Sequence, residues 1–253
     1  MPLTPPPRPP SAGSGPVLFA RAGALGDFVL TLPRLARLFA SGRRVDVACA
    51  RKHRPLVGLV GQPGRFYDID GVEGLWLFGQ GKPPVAYEEV ICFSEAVALS
   101  PNTPAPRFTR FAARPPPGVS AASHFGGVPL SVPTPELRGG EVVIFPGAGA
   151  PEKRWPGWEE VASQLRDVLF IGGPLEPEMK FRPDLDELIE FARGARVWLG
   201  VDSGPSHLAA FLACPTGVVF TTTNPAIWAP PGAKVFTPPV TPAEVVAWVR
   251  TVA

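Results

Sequence analysis

The chain has 253 residues, 45% of them hydrophobic, and a formal net charge of +2. That length and apolar content can fill one large core or two smaller ones. The basic residues are scattered, so the chain lacks the electrostatic footprint of a nucleic-acid binder.

Its three cysteines, Cys49, Cys92 and Cys214, lie far apart inside apolar runs. They form neither a metal-ligand spacing nor a disulfide framework, which fits a reducing cytosol and predicts no metal site. Residues 1–15 are rich in proline, serine and glycine and lack the charged start and apolar middle of a secretory signal. They read as a disordered tail. No apolar run reaches the roughly 18 residues that span a bilayer. Peripheral contact with a membrane surface stays open.

After the tail a β-α alternation begins. Val17 to Ala20 is a short buried strand, and Phe28 to Phe39 carries apolar residues at helical spacing. Val45 to Ala50 is a second strand, Arg54 to Val60 a short helix, and Phe66 to Ile69 and Val90 to Phe93 further strands. From Ser94 to Pro135 the periodicity fades, and Pro129 to Gly140 has linker composition. The alternation then resumes: strand Val142 to Phe145, helix Trp158 to Arg166, strand Val168 to Ile171. Asp184 to Ala192 is a helix with Asp184 as N-cap. Val197 to Leu199, Pro205 to Ala213 and Val218 to Phe220 follow as strand, helix and strand. Pro242 to Val249 is a final helix capped by Thr241. This order predicts parallel sheets covered on both faces. The expected organisation is an N-terminal Rossmann-like lobe over 16–134 and a C-terminal one over 139–253, with a cleft between them.

Three loops at the carboxyl ends of predicted strands carry the chemistry, where ligands of such sheets bind. Pro146-Gly147-Ala148-Gly149 allows close backbone approach, and Lys153 and Arg154 precede a helix whose first N–H groups are unpaired. Together they suit a departing diphosphate. The alternative is an ordinary turn with surface cations and a packed Trp155. In Val201-Asp202-Ser203-Gly204-Pro205-Ser206-His207, Ser203 is a candidate helix cap and Pro205 fits the first turn. Asp202 and His207 converge on the same helix mouth, although a lone histidine is more often structural. Arg21-Ala22-Gly23-Ala24-Leu25-Gly26-Asp27 lacks the third glycine of a dinucleotide fingerprint. Asp27 is either the helix N-cap or a general base for a sugar hydroxyl.

These three elements, in this order, resemble the ADP-heptose:lipopolysaccharide heptosyltransferases of glycosyltransferase family nine. The wording matches over Arg21 to Pro33, over Pro146 to Gly149 with Lys153 to Pro156, and most closely over Gly200 to Ala210. The resemblance implies a GT-B-like α/β fold and a metal-independent, inverting transfer that needs no cofactor. It makes Asp27 the catalytic base. It places Gly147, Lys153, Glu176, Asp202, Ser203, Gly204 and His207 around a nucleotide-diphosphate sugar donor of the ADP type. The acceptor it implies is a glycan or lipid-linked sugar, met in the cytoplasm or at the inner face of the cytoplasmic membrane.

Two departures stand out. The chain is shorter than family members usually are, with only a few residues between the Gly172-Gly173-Pro174-Leu175-Glu176 turn and the Asp184 helix, so Glu176 and Glu178 compete for the ribose. Thr221-Thr222-Thr223 replaces a Gly-Pro-Thr run, and β-branched residues disfavour positive φ. These departures keep a second reading open: a non-catalytic nucleotide-sugar-binding protein.

Overall fold

The computed structural model describes residues 15–93, 105, 107–127, 140–147, 149–173 and 181–252. By their contacts, the described residues of Met1–Ala22 and Arg34–Ala113 form one compact unit. Those of Gly23–Pro33 and Arg114–Ala253 form another.

The first unit holds a parallel five-stranded sheet. Its strands are β1 (Val17–Arg21), β2 (Val45–Cys49), β3 (Phe66–Asp68), β4 (Glu89–Cys92) and β5 (Arg107–Arg110), in the order β3-β2-β1-β4-β5. Strands β1 and β2 are buried along their whole length, which is why they read as continuous apolar runs rather than alternating ones. Leu18, Ala20, Ala48, Trp76, Leu77, Tyr87 and Val90 build much of one core layer. The β5 strand, Arg107-Phe108-Thr109-Arg110, is exposed throughout. Its charged ends suit an edge position.

The single helix expected over Phe28 to Phe39 is two helices, α1 (Leu25–Val29) and α2 (Leu32–Ala40). Pro33 is the second residue of α2 and has no N–H to continue a ladder from α1. At the break, both the amide and the hydroxyl of Thr31 donate to the Phe28 carbonyl, at 2.9 and 2.7 Å. The α3 helix (Arg54–Val60) falls where its spacing predicts.

The second unit carries the other parallel sheet: β6 (Val142–Phe145), β7 (Val168–Phe170), β8 (Val197–Val201), β9 (Thr216–Val219) and β10 (Lys234–Phe236). The order is β10-β9-β8-β6-β7. Helices α4 (Trp158–Ser163), α5 (Leu185–Gly194), α6 (Gly204–Phe211), α7 (Pro225–Trp228) and α8 (Pro242–Val252) complete it. Val142, Ile144, Val161, Leu199, Val219, Val245 and Val249 are central to its core. Trp155 belongs to the same core, edge-on to Trp158 with ring centroids 4.8 Å apart.

Two caps predicted from sequence form. Asp184 accepts from the Glu187 amide at 2.9 Å, and Thr241 exchanges hydrogen bonds with Glu244. The predicted linker, Pro129 to Gly140, and the tail over 1–15 fall almost wholly outside the described residues. Among the described residues no helix is long and apolar enough to cross a membrane.

Candidate functional site

The order of the second sheet reverses at β6: β7 lies on one side, and β8, β9 and β10 follow on the other. The loops leaving β6 and β8 therefore open side by side at the topological switch point, where parallel α/β sheets bind ligands. Gly147 lies buried in the first of these loops. A 3-10 turn, Pro151–Lys153, then presents Lys153. Asp202 and Ser203 occupy the second loop, and α6 begins at Gly204.

Lys153 Nζ donates to Asp202 Oδ2 at 2.8 Å, across 49 residues of sequence. Thr223 Oγ1 donates to the same carboxylate oxygen at 2.7 Å. The other oxygen, Oδ1, faces His207 Nε2 at 3.7 Å. That separation exceeds hydrogen-bond length, so the His207 ring acts on Asp202 through its charge distribution. Asp202 is only 7% exposed. Burial pushes its carboxyl up, but the His207 ring, the hydrogen bonds from Lys153 and Thr223 and the lysine charge outweigh that and hold it at about 2. The site therefore keeps a buried carboxylate ionised beside an ammonium.

Ser203 occupies the N-cap position but makes no side-chain cap bond, contrary to the sequence expectation. Its hydroxyl lies 3.3 Å from Ser206 Oγ, and Ser206 donates to the Val201 carbonyl at 2.8 Å. This arrangement needs Gly200, because a Cβ there would lie 2.7 Å from Ser206 Oγ. The first turn of α6 thus leans on the end of β8 through Ser206, and the N–H groups of that turn keep their usual lack of helical acceptors.

The loop after β1 also reaches this site. Gly26, in α1, packs on Gly204: a Cβ on Gly26 would lie 3.2 Å from Gly204 Cα and 3.5 Å from His207 Cδ2. Asp27 follows at the third position of α1 rather than as its N-cap. Its Oδ2 accepts the Ala24 amide at 3.2 Å. The carboxylate thus supports the helix start from within the first turn and stays partly exposed.

The structure therefore brings Lys153, Asp202, Ser203, Gly204 and His207 together, with Gly147 in the adjoining loop and Asp27 one residue beyond the Gly26 contact. Glu176 and Glu178 lie outside the described residues. Sequence reasoning missed Thr223. Its signal was that Thr223 keeps the threonine of the Gly-Pro-Thr run while Thr221 and Thr222 replace the glycine and proline before it.

Residues 177–241 match the model of glycosyltransferase family 9 (heptosyltransferase). No curated protein sequence matches the chain. Among solved structures, a glycosyl transferase family 9 protein from Veillonella parvula is similar at TM-score 0.72 and 16% identity, over 96% of this chain and 98% of that one. The E. coli ADP-heptose lps heptosyltransferase II is similar at TM-score 0.69 and 17% identity, over 93% and 98%. The E. coli heptosyltransferase WaaC with ADP is similar at TM-score 0.67 and 18% identity, over 94% and 100%. At such identities the structural likeness establishes the fold, a GT-B-like pairing of two parallel α/β sheets, while the family model speaks for the sequence. The chain thus shares its fold with these family 9 enzymes, and over residues 177–241 its sequence is similar to that family as well.

Proposed function

We propose that this protein is a family 9 glycosyltransferase that moves a heptose-like sugar from a nucleotide-diphosphate donor to a glycan or lipid-linked acceptor, with inversion and without a metal. The observation that carries this is the Lys153–Asp202–His207 cluster at the mouth of α6, at the switch point of the second sheet. A lysine ammonium and a helix N-terminus supply positive potential where a diphosphate leaves, the role a metal plays elsewhere. ADP is the favoured nucleotide, since the E. coli enzyme of similar fold was solved with ADP and with ADP-2-deoxy-2-fluoro heptose.

In this mechanism Asp27 takes the proton of the acceptor hydroxyl as that oxygen attacks the anomeric carbon. The bond from that carbon to the diphosphate oxygen breaks, and its electron pair leaves with the nucleoside diphosphate. Lys153 and the first-turn amides of α6 stabilise the growing charge. Asp202, Ser203, Gly204 and His207 frame the donor, Gly147 allows its close approach, and Glu176 serves the ribose. The work is cytoplasmic, at the inner membrane face if the acceptor is lipid-linked.

Calorimetry with ADP, UDP and GDP, followed by hydrolysis of an ADP-sugar, tests this proposal. Binding of ADP, with donor hydrolysis lost in Asp27→Asn while affinity is kept, supports it. Binding with no hydrolysis or transfer under any acceptor supports the non-catalytic binder instead. Failure to bind any of the three nucleotides rejects both.

A further inference from the structure

The loop after β9 ties two other turns of the site together. Strand β8 lies between β9 and β6 in the sheet. To reach the turn after β6, the loop leaving β9 must cross over the carboxyl end of β8, where Asp202 sits. It does reach that turn: Thr221 Oγ1 donates to the Glu152 carbonyl at 2.9 Å, one residue before Lys153. Two residues on, Thr223 Oγ1 donates to Asp202 Oδ2. The loop ends at once in α7, where Asn224 caps by accepting the Ala226 amide at 2.9 Å, so the threonines sit on a short, tied span. Neither takes a left-handed backbone, since Asp167 and Ala213 are the positive-φ non-glycine residues among those described.

We infer that Thr221 and Thr223 are positioning residues that clamp the Lys153–Asp202 pair from above, one holding the lysine's turn and the other the carboxylate. This deepens the donor-site proposal and rests on it. With Lys153 and Thr223 both donating to Oδ2, that oxygen has its two in-plane acceptor directions filled. The carboxylate cannot rotate without breaking one bond, so Oδ1 stays turned toward His207 and the ammonium stays at the switch point. A cation fixed before the ligand arrives needs no reorganisation as charge develops, which is how electrostatic stabilisation gains its effect. In a Gly-Pro-Thr run the first position has no hydroxyl, so the Glu152 tie is a feature of this chain's own wording.

The test compares wild type with Thr221→Val, Thr223→Val, Thr223→Ser and the exposed-loop control Thr222→Val. Valine keeps the shape of threonine and removes the donor. The readouts are ADP affinity by calorimetry across pH and the titration of the Asp202 carboxyl by carbon NMR in ligand-free protein. Thr223→Val is expected to weaken ADP by about tenfold, as for loss of a hydrogen bond to a charged group. It should also move the Asp202 titration to higher pH, because one of the interactions that lowers it is gone. Thr223→Ser should restore both. Thr221→Val should weaken ADP by a factor of about three to ten, and Thr222→Val should match wild type. If wild type binds ADP but both valine variants bind like Thr222→Val, and the Asp202 titration stays in place, the clamp is wrong and the donor site stands. If wild type binds none of ADP, UDP and GDP, the donor-site proposal fails and takes the clamp with it.

Discussion

Gly26 and Gly204 meet backbone to backbone: a Cβ built on Gly204 would lie 2.8 Å from the Gly26 nitrogen. One glycine lies in α1 and the other begins α6, so this contact sets how near the Asp27 turn stands to the Asp202 turn. Neither backbone atom can yield as a flexible side chain would.

Gly204→Ala is therefore expected to destabilise the protein by about 1–3 kcal/mol, the usual cost of overpacking, even though alanine is the better helix former. Gly26→Ala should follow in the same direction with a smaller loss. Gly58, in α3, is the control, because a Cβ there meets nothing within 4 Å. Gly58→Ala should stabilise by about 0.4–1 kcal/mol. Urea unfolding of the three variants checks the contrast, and equal behaviour at all three positions would remove the close-approach explanation.

Asp202 makes stability depend on pH in a defined window. Its folded pKa, about 2, lies below that of an unfolded aspartate, near 3.9. Its contribution is thus fully present above about pH 4 and is lost as pH falls through about 2. The size is about 2 kcal/mol at neutral pH. Asp202→Asn should flatten the acid limb of a stability curve measured from pH 6 to pH 2, and an unchanged limb would mean other carboxylates set it.

Lys153 and Asp202 should be energetically coupled. Removing one partner leaves the other half-desolvated, so each single change costs more than its own contacts. A double-mutant cycle with Lys153→Met and Asp202→Asn should return a coupling of about 1–3 kcal/mol. A value near zero would show that the 2.8 Å contact contributes only geometry.

In the proposed mechanism Asp27 has two roles, base and helix-start acceptor, that chemistry can separate. Asparagine keeps an oxygen to accept the Ala24 amide but cannot act as a base. Asp27→Asn should fold as wild type and lose about 10²–10⁴ in turnover. Asp27→Ala should lose activity and also about 1 kcal/mol of stability. Activity and thermal unfolding measured together on both variants decide it, and an active Asp27→Asn would remove the base assignment.

Local sequence foresaw most strands because buried parallel strands are apolar throughout, as in Val17 to Arg21 and Val142 to Phe145. It did not foresee β5, whose Arg107-Phe108-Thr109-Arg110 is exposed at every position and carries no buried face to leave a pattern. Nor did it foresee the 3-10 helix over Val72–Phe78, where Trp76 and Leu77 are buried while Val72, Leu75 and Phe78 are exposed. Apolar content there does not report burial. The break between α1 and α2 was written in Pro33 but outweighed by the apolar spacing around it.

By itself the sequence determined two rounds of strand and helix and the loops that bear Asp27, Lys153 and Asp202, because periodicity and turn chemistry are local. Which loops meet was decided only by the tertiary structure. Setting β6 beside β8 joins Lys153 to Asp202, the path of the β9 loop brings Thr223 to the same oxygen, and the packing of α1 on α6 brings Gly26 to Gly204. Each of these contacts spans many residues and depends on strand order, which parallel crossovers set through packing and no short stretch of chain encodes.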